Sequence, residues 1–419
     1  MIAEILATGE EIRTGALADT NSAYIAAELE AAGVGVTRLG GVGDDLETLT
    51  AVLREIGARS DVAVVTGGLG PTVDDLSAEA AAMAAGVELH TDDAALASIE
   101  AFFRKRNRPM NPSIRKQAVV PAGSDILFNP VGTAPGFSLA IGRCRFYFLP
   151  GVPFEMKRML ADHVLPRLAA MQGGRREHRI VHTLSCYGLT ESLTGERLHG
   201  IAEAVPGVIL GLRAKFPEIQ VKLYAAGPDE GEVRGRLERA AVWARDRLGD
   251  IVFSECGEPM AAAVGGLLRA RGATLALAES CTGGLIAHWL TEIAGSSDYF
   301  LLSAVTYSNE AKMRVLGVGA ETLERLGAVH EETAREMAAG ARQAAGAAYG
   351  LATSGIAGPT GGSPEKPVGT VCIGLADETR SLGLRFHFSY TTRGMYKQGF
   401  AMKALDLLRR ELLGLPHAA

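Results

Sequence analysis

The chain has 419 residues with a formal net charge of -6, a hydrophobic content of 47% and a charged content of 21%. This length exceeds one ordinary hydrophobic core and predicts about two to four domains of a soluble globular protein. The acidic balance argues against a surface that coats nucleic acid, and no apolar run reaches the roughly 18 residues of a membrane span.

The amino terminus and the cysteines indicate where the protein works. MIAEILATGEE has no basic region before its apolar run, so it is not typical of a secretory signal. Five cysteines are widely spaced, odd in number and without CxxC or histidine-paired spacing, which indicates a reducing compartment and no zinc site. We therefore expect a cytoplasmic protein without a membrane partner. The cysteines are Cys144, Cys186, Cys256, Cys281 and Cys372.

The first part of the chain alternates between strand and helix patterns. IAEILAT, VGVTRLGGVG and DVAVVTGG read as strands, and NSAYIAAELEAAG, DLETLTAVLREIGARS and PTVDDLSAEAAAMAAG read as helices. This alternation predicts an α/β domain with a doubly wound parallel sheet. In such sheets ligands bind beyond the carboxyl ends of the strands.

One of these strand ends carries a glycine-rich segment, TGGLGPTVDD at residues 66–75. Its glycines, Gly67, Gly68 and Gly70, can bring backbone N–H groups up to a phosphate, although the segment is neither a Walker loop nor GxGxxG. The two acids that follow, Asp74 and Asp75, have a simple interpretation as part of a helix-capping arrangement with Thr72. The alternative is a divalent cation between these acids and a phosphate.

This part of the chain resembles a known domain. TGEEIRTGALADTN, TGGLGPTVDD, QAVVPAGSDILFNPVGTAPGF and LPGVPFEMKRML look like the molybdopterin-binding, MoaB/MogA-like domain at the front of CinA proteins. Ile114 departs from the pattern, since asparagine is expected there. The resemblance implies an ADP-ribose pyrophosphatase that uses Mg²⁺, Mn²⁺ or Co²⁺. Its metal ligands would be Asp44, Asp74 and Asp75, and its substrate would contact Gly67, Gly68 and Gly70.

The middle of the chain follows a polar break, QGGRREHR at residues 172–179. A βαββα pattern then predicts a small α+β module that is similar in outline to the KH-type domain of CinA proteins. It has no GxxG loop and carries nearly equal numbers of basic and acidic residues, so a spacer or dimerisation role is favoured over RNA binding. We therefore predict domains at 1–172, 173–254 and 255–419, in a homodimer that makes no direct nucleic-acid contact.

The last domain places possible nucleophiles beside a glycine turn. The strand TLALA precedes ESCTGG, and the helix pattern LIAHWLTEIAG follows. A second strand, FLLSAVTYS, ends in Tyr307, with Lys312 one helical turn beyond Ser308. A hydroxyl nucleophile such as Ser280 needs a proton acceptor, which tyrosine or lysine can provide. Taken singly, Ser280 or Thr282 could be a helix N-cap instead.

A third segment, SGIAGPTGGSPEKPVGTVCIG at residues 354–374, is a long glycine loop suited to wrap a ligand. Together with AESCTGG and TYSNEAK it looks like the C-terminal domain of CinA proteins, the nicotinamide mononucleotide (NMN) deamidases. The resemblance implies hydrolysis of the NMN carboxamide to nicotinate mononucleotide and ammonia, without a cofactor. The implied catalytic residues are Ser280, Tyr307 and Lys312. The implied substrate-binding residues are Cys281, Thr282, Gly283, Gly284, Asn309, Gly358, Gly361, Gly362 and Arg393.

Several alternatives stay open from the sequence alone. The base is either Lys312, with a lowered pKa, or Tyr307 beside a charged Lys312. N–H groups of residues 281–284 are candidates for an oxyanion hole, and Arg393 for contact with the phosphate. His330 is interpreted as a helix cap rather than a base. If Cys281 were the nucleophile, the protein would be a cysteine amidase. The remaining alternative is a non-enzymatic binding role associated with competence or DNA damage.

Overall fold

The computed structural model describes residues 1–173 and 177–417, and the chain forms two compact units. The first contains Met1–Ile180 and Ala226–Arg234, and the second contains Val181–Ala225 and Gly235–Ala419. The predicted three-domain boundaries stay predictions, and residues 174–176 of the first boundary lie outside the described residues. In the described ranges, no helix combines the length and apolar character that crossing a membrane requires.

The first part of the chain contains a six-stranded sheet with the order β2-β1-β3-β8-β7-β6, and a separate antiparallel pair, β4 and β5. Its strands are β1 (Ile2–Thr8), β2 (Gly35–Val42), β3 (Val62–Thr66), β4 (Leu89–Thr91), β5 (Val119–Pro121), β6 (Asp125–Leu127), β7 (Gly136–Ile141) and β8 (Cys144–Leu149).

The helices pack on both faces of this sheet, where two separate groups of buried apolar side chains lie. They are α1 (Glu10–Arg13), α2 (Thr20–Ala31), α3 (Leu46–Arg59), α4 (Ser77–Ala85), α5 (Asp93–Lys105), α6 (Pro153–Met159) and α7 (Leu165–Met171), with a 3₁₀ helix at Pro112–Ala118 and a π-helical turn at Leu160–Val164. The central strand β3 is buried throughout, as parallel strands covered on both faces are.

The predicted doubly wound α/β class is confirmed, with one difference in the sheet. Strands β2, β1, β3 and β8 are parallel, whereas β7 pairs antiparallel with both of its neighbours, β8 and β6. The reason is the short connection between β7 and β8, in which Gly142 has a φ of 60°. A two-residue turn can only join antiparallel strands, because a parallel pair needs a long crossover.

The middle of the chain has the predicted α+β character, with a four-stranded sheet in the order β10-β11-β9-β12. Its strands are β9 (His178–Cys186), β10 (Val208–Lys215), β11 (Glu218–Gly227) and β12 (Val252–Ser254). Its helices are α8 (Glu191–Arg197), α9 (Ile201–Ala204) and α10 (Glu230–Leu248), followed by a 3₁₀ turn at Gly249–Ile251.

The last part of the chain is an α/β sheet with the order β14-β13-β15-β16-β17. Its strands are β13 (Leu275–Glu279), β14 (Phe300–Val305), β15 (Tyr349–Gly355), β16 (Thr370–Ala376) and β17 (Ser381–His387). Its helices are α11 (Met260–Ala270), α12 (Leu285–Thr291), α13 (Asn309–Leu316), α14 (Ala320–Leu326), α15 (Glu331–Ala345) and α16 (Arg393–Leu413), with a 3₁₀ turn at Ser296–Asp298.

The register of this sheet brings three chain segments to one edge. Strand β13 is buried throughout and is parallel to both β14 and β15, with Glu279 opposite Val305 on one side and Thr353 on the other. Because the carboxyl ends of parallel strands meet at the same edge, the residues after each strand share one region. The predicted nucleophile, its predicted partners and the glycine loop all follow these strand ends.

Candidate active site

A serine and a lysine form the centre of the site. Ser280 follows β13, and its backbone N–H donates to the carbonyl of Thr353 at 2.9 Å. Lys312 lies on α13, whose first turn is capped by the Ser308 hydroxyl. The Lys312 Nζ atom lies 3.3 Å from Ser280 Oγ, 2.9 Å from the Thr306 carbonyl oxygen and 3.1 Å from that of Tyr307. The predicted pair of nucleophile and lysine is therefore within hydrogen-bond reach.

The surroundings of Lys312 disfavour its charged form. Its side chain is fully buried, and this burial lowers the pKa of Lys312. Its hydrogen-bond partners in the described part of the chain are two carbonyls and one hydroxyl, without a carboxylate. Lys312 Nζ donates to the two carbonyl oxygens and to Ser280 Oγ, and after the loss of one proton its lone pair would face the Ser280 hydroxyl. This arrangement can remove a proton from Ser280.

A buried carboxylate that the sequence analysis missed holds the turn in place. Glu279 is 1% exposed, and its carboxylate accepts from the N–H groups of Gly284 at 2.9 Å, Ile286 at 3.2 Å and Ala287 at 2.9 Å. Glu279 therefore provides the hydrogen-bond acceptors for the N–H groups at the start of α12, so the interpretation of Ser280 or Thr282 as the cap of this helix is wrong. An acid at the end of a buried strand, directly before a hydroxyl and glycine turn, is the signal that could have indicated this role.

The same contacts decide which N–H groups can stabilise an oxyanion. The Gly283 N–H donates to the Ser280 carbonyl at 3.2 Å, and the Gly284 N–H donates to Glu279. The glycine N–H groups are therefore occupied, and the prediction that they form the oxyanion hole is wrong. Within the described residues, the N–H groups of Cys281 and Thr282 have no acceptor, so these two are the available donors.

The side chains of Cys281 and Thr282 are structural. The Thr282 hydroxyl lies 2.7 Å from that of Thr353, which fastens the turn to β15 inside the protein. The Cys281 thiol is buried, and this burial raises the pKa of Cys281 to about 12. A thiol is a nucleophile in its thiolate form, so its protonated state at neutral pH argues against a cysteine amidase.

Tyr307 does not lie where the sequence analysis expected it. Its side chain is 65% exposed, and its hydroxyl lies 3.4 Å from the Arg393 guanidinium. Only its backbone carbonyl takes part in the central contacts, and no hydrogen bond joins its hydroxyl to Ser280 among the residues described. The contacts therefore favour Lys312 over Tyr307 as the group that takes the serine proton, and the role of the Tyr307 hydroxyl in proton transfer stays a prediction.

The remaining predicted contacts lie at the rim. Arg393 begins α16 and donates to the Gly358 carbonyl at 2.6 Å, so it joins the glycine loop to Tyr307. Asn309 on α13 is exposed, as are Gly361 and Gly362 in the loop, and their contact with a substrate stays a prediction. His330 caps α15 through Nδ1, which accepts from the Glu332 N–H at 3.1 Å, as predicted.

In the first unit, the glycine-rich segment is packed closely against its neighbours. A Cβ atom on Gly67 would clash with the Thr8 carbonyl oxygen, and the Gly67 N–H donates to the Leu149 carbonyl. Gly67 is therefore needed for packing, whereas Gly68 and Gly70 line a small pocket. The Lys116 Nζ atom, which the sequence analysis did not single out, donates to the Thr72 and Asp75 carbonyls and holds the segment.

The three predicted metal-binding aspartates do not form one ligand set. Asp44 and Asp74 line one pocket, and Asp75 lines another, where its carboxylate accepts from the Thr72 N–H at 2.8 Å. In residues 1–173 and 177–417, no three His, Cys, Asp or Glu side chains are placed to hold a metal. The two acids also precede α4, which begins at Ser77, and do not lie in its first turn.

Asp44 and Asp74 still make their pocket electrostatically distinctive. Burial raises the pKa of Asp44, and the charge of Asp74 raises it further. The nearby Glu10 is neutralised by Arg13, whose Nε atom donates to it at 2.8 Å. A partly buried carboxylate whose charge is disfavoured by a second carboxylate suits a cation. Mg²⁺ binds through one or two carboxylates when substrate phosphates complete its shell, so the pair fits a cation that arrives with a phosphate.

Comparisons with known proteins cover both parts of the chain. Residues 257–412 match the family described as the CinA C-terminal domain, and residues 4–170 match the probable molybdopterin binding domain. Among solved structures, the chain is similar to the competence/damage inducible protein CihA from Agrobacterium tumefaciens, with 42% identity, a TM-score of 0.35, and coverage of 36% of this chain and 91% of that one. It is also similar to CinA of unknown function from Thermoplasma acidophilum, with 36% identity, a TM-score of 0.37, and coverage of 40% and 97%.

Full-length relatives extend this similarity over nearly every residue. A CinA-like protein of Desulfosudis oleivorans is 52% identical over 413 residues, which cover 99% of this chain and 100% of the relative. A CinA-like protein of Geobacter metallireducens is 46% identical over 409 residues, which cover 98% of each chain. The chain therefore belongs to the CinA-like family.

Proposed function

We propose that the second unit hydrolyses the carboxamide of NMN to nicotinate mononucleotide and ammonia. The observation that carries this proposal is the contact between Ser280 and Lys312, which is buried and hydrogen-bonded to backbone carbonyl oxygens. A hydroxyl beside a buried lysine whose charged form is disfavoured can be activated as a nucleophile, and hydrolysis of a carboxamide requires this because the carboxamide is a poor electrophile. The matched CinA C-terminal domain covers all of these residues.

In the proposed reaction, Ser280 Oγ forms a bond to the carboxamide carbon while its proton passes to Lys312 Nζ. The carbonyl oxygen becomes an oxyanion that accepts from the N–H groups of Cys281 and Thr282. Lys312 then returns the proton to the leaving nitrogen, and the C–N bond breaks to release ammonia. Water, activated by the same lysine, cleaves the resulting ester and regenerates Ser280.

The substrate class is tested by offering the full-length protein NMN, free nicotinamide, asparagine and glutamine, and following ammonia release in EDTA. We expect ammonia from NMN and much less from the other amides, because they lack the ribose phosphate for the rim to hold. Equal rates on all four would contradict the nucleotide assignment. No ammonia from any of them would favour the non-enzymatic competence- or damage-associated role.

Tyr307→Phe should lower kcat for NMN by less than about 10-fold, because the hydroxyl contacts Arg393 rather than the nucleophile. The effect should appear mainly in KM, since the lost contact orients an arginine at the rim. Steady-state kinetics of the purified variant provide the measurement. If kcat instead falls about 100-fold or more, the Tyr307 hydroxyl takes part in proton transfer.

For the first unit, we propose hydrolysis of ADP-ribose at the pocket of Asp44 and Asp74, with a divalent cation that these carboxylates hold together with the pyrophosphate. The cation would supply charge stabilisation and a lowered pKa for bound water. Asp44 and Asp74 would position it, and Gly68 and Gly70 in the neighbouring pocket would offer backbone N–H groups to a phosphate. Cytoplasmic localisation and homodimerisation stay predictions.

Asp44→Asn should lower the rate of cation-dependent ADP-ribose cleavage by at least about 100-fold, because one of the two carboxylates that attract the cation loses its charge. Product formation is followed with Mg²⁺, Mn²⁺ or Co²⁺ added. Asp93→Asn, at the exposed start of α5, is the matched control and should behave as the unaltered protein. If Asp44→Asn cleaves ADP-ribose normally, the pocket is not the site.

A further inference from the structure

A cavity in the second unit is lined by none of the residues proposed for catalysis or substrate binding. It has a volume of about 300 Å³ and lies between the β10–β11 turn, the start of α11, the end of α12 and the first half of α16. Sites for small ligands begin at about this size. Trp289, Glu292 and Ile293 line the cavity from the end of α12, whereas the serine turn precedes that helix. At 1.5 Å per residue the two ends are about 10 Å apart.

The walls of this cavity are apolar and aromatic. Met260 and Met402 are almost fully buried in the hydrophobic core of the unit, and the half-buried Trp289 packs against the same core. Phe216, in the turn between β10 and β11, contacts the Tyr390 ring edge to face, with the ring centroids 5.0 Å apart. This contact holds the turn in place. Trp289 and Phe216 therefore present aromatic rings to a planar group in the cavity.

Negative charge predominates at the cavity. Glu218 is 4% exposed, and its Oε1 atom accepts from Lys215 Nζ at 2.8 Å, so these two charges balance each other. Glu292 has no such partner. Within the described ranges its single ion-pair contact is with His288, whose Nδ1 atom lies 4.0 Å away. A carboxylate beside aromatic rings favours a cation, because both the charge and the ring faces attract it.

Two polar groups at the cavity are available to a ligand. Neither the side-chain amide of Gln398 nor the indole N–H of Trp289 forms a hydrogen bond with any residue that the structure describes. The amide can donate and accept, and the indole can donate. A polar substituent on a bound ring can therefore form hydrogen bonds with them.

We infer that this cavity binds a planar aromatic cation of about the size of a substituted pyridinium, at a site separate from the serine. The ring packs against Trp289 and Phe216, and its positive charge lies near Glu292. This inference goes beyond the proposed deamidase function and does not depend on it, because the cavity shares no residue with the serine site and its test requires no turnover.

The test uses 1-methylnicotinamide, a pyridinium that carries a carboxamide and lacks ribose and phosphate. The chain has two tryptophans, so Trp243→Phe in the full-length protein leaves Trp289 as the single fluorescent reporter. We expect saturable quenching of the Trp289 fluorescence, with a Kd below about 1 mM. Nicotinamide has a similar shape without the charge and should bind at least about 5-fold more weakly, and the anion nicotinate more weakly still.

Glu292→Gln removes the carboxylate at an exposed position and should raise the Kd for 1-methylnicotinamide about 3-fold to 10-fold. Glu324→Gln, at an exposed position on α14, is the matched control and should leave the Kd as it is. Heat-denaturation midpoints establish that each variant is folded. If Trp243→Phe does not fold, calorimetry makes the same comparisons on the unaltered protein and on Glu292→Gln.

Three outcomes would overturn the inference. The first is quenching that rises without saturation up to about 10 mM, which indicates collisions rather than binding. The second is saturable binding that Glu292→Gln leaves unchanged, which places the ligand elsewhere. The third is equal affinity for the cation, nicotinamide and nicotinate, which indicates an apolar cavity that does not select for charge.

Discussion

Replacing Ser280 with alanine should reduce ammonia release from NMN by at least about 1,000-fold, because removal of a covalent nucleophile leaves only binding and oxyanion stabilisation. Ser280 Oγ is the hydroxyl that contacts the Lys312 amine, and its backbone N–H is fixed by β15. Alanine leaves that backbone contact in place. The loss should therefore appear in kcat, with NMN binding retained, as steady-state kinetics and calorimetry would measure.

Cys281→Ala is the matched control, since it removes the neighbouring nucleophilic atom. The Cys281 thiol is buried and its pKa is raised to about 12, so it is protonated at neutral pH and contributes packing rather than chemistry. We expect this variant to retain most of the activity, with some loss of thermal stability from the small cavity. An inactive Cys281→Ala beside an active Ser280→Ala would reverse the assignment of the nucleophile.

Lys312→Met should lower kcat by about 100-fold to 10,000-fold, the usual range for a general base. Methionine fills the same space without an amine, so the loss reports proton transfer more than packing. Methionine suits the buried site but leaves the carbonyls of Thr306 and Tyr307 without the donor that Lys312 provides, so the heat-denaturation midpoint is measured to establish that the variant is folded. Lys222→Met, a half-buried lysine on β11, is the control for removal of a lysine elsewhere and should leave kcat as in the unaltered protein.

The pH dependence of the activity provides a second test that Lys312 is the base. Burial lowers the pKa of Lys312, and the base is the deprotonated form. Activity should therefore fall as the pH drops through this lowered pKa and reach a plateau above it, at a pH below the ordinary range of lysine. Lys312→Met should lose this limb of the profile. If the limb persists in the variant, another group is the base.

The sequence predicted the pair Ser280 and Lys312 because both belong to short strand–turn–helix segments whose geometry is local. The parallel strands β13 and β14 then bring the two segments to one edge of the sheet. The direction of the Tyr307 ring was not predictable in this way. It depends on how the chain turns after β14 and on the contact with Arg393, which lies 86 residues further on.

Hydrogen-bond partners within the turn were also beyond sequence reasoning. Glycines 283 and 284 are suited to an oxyanion hole by residue type, yet their N–H groups are used by Ser280 and Glu279. In the first unit, the spacing of Asp74 and Asp75 says nothing about the separate pockets that their side chains face. Composition and spacing predict which groups are present in a segment, and the tertiary contacts decide which of them are available.

Product analysis decides whether the second unit breaks the amide bond of NMN. The full-length protein is incubated with NMN in EDTA, and ammonia, nicotinate mononucleotide, nicotinamide and ribose 5-phosphate are quantified together. We expect equal amounts of ammonia and nicotinate mononucleotide, with neither product above background in Ser280→Ala. Release of nicotinamide and ribose 5-phosphate instead would show cleavage of the glycosidic bond and would contradict the proposed amide hydrolysis.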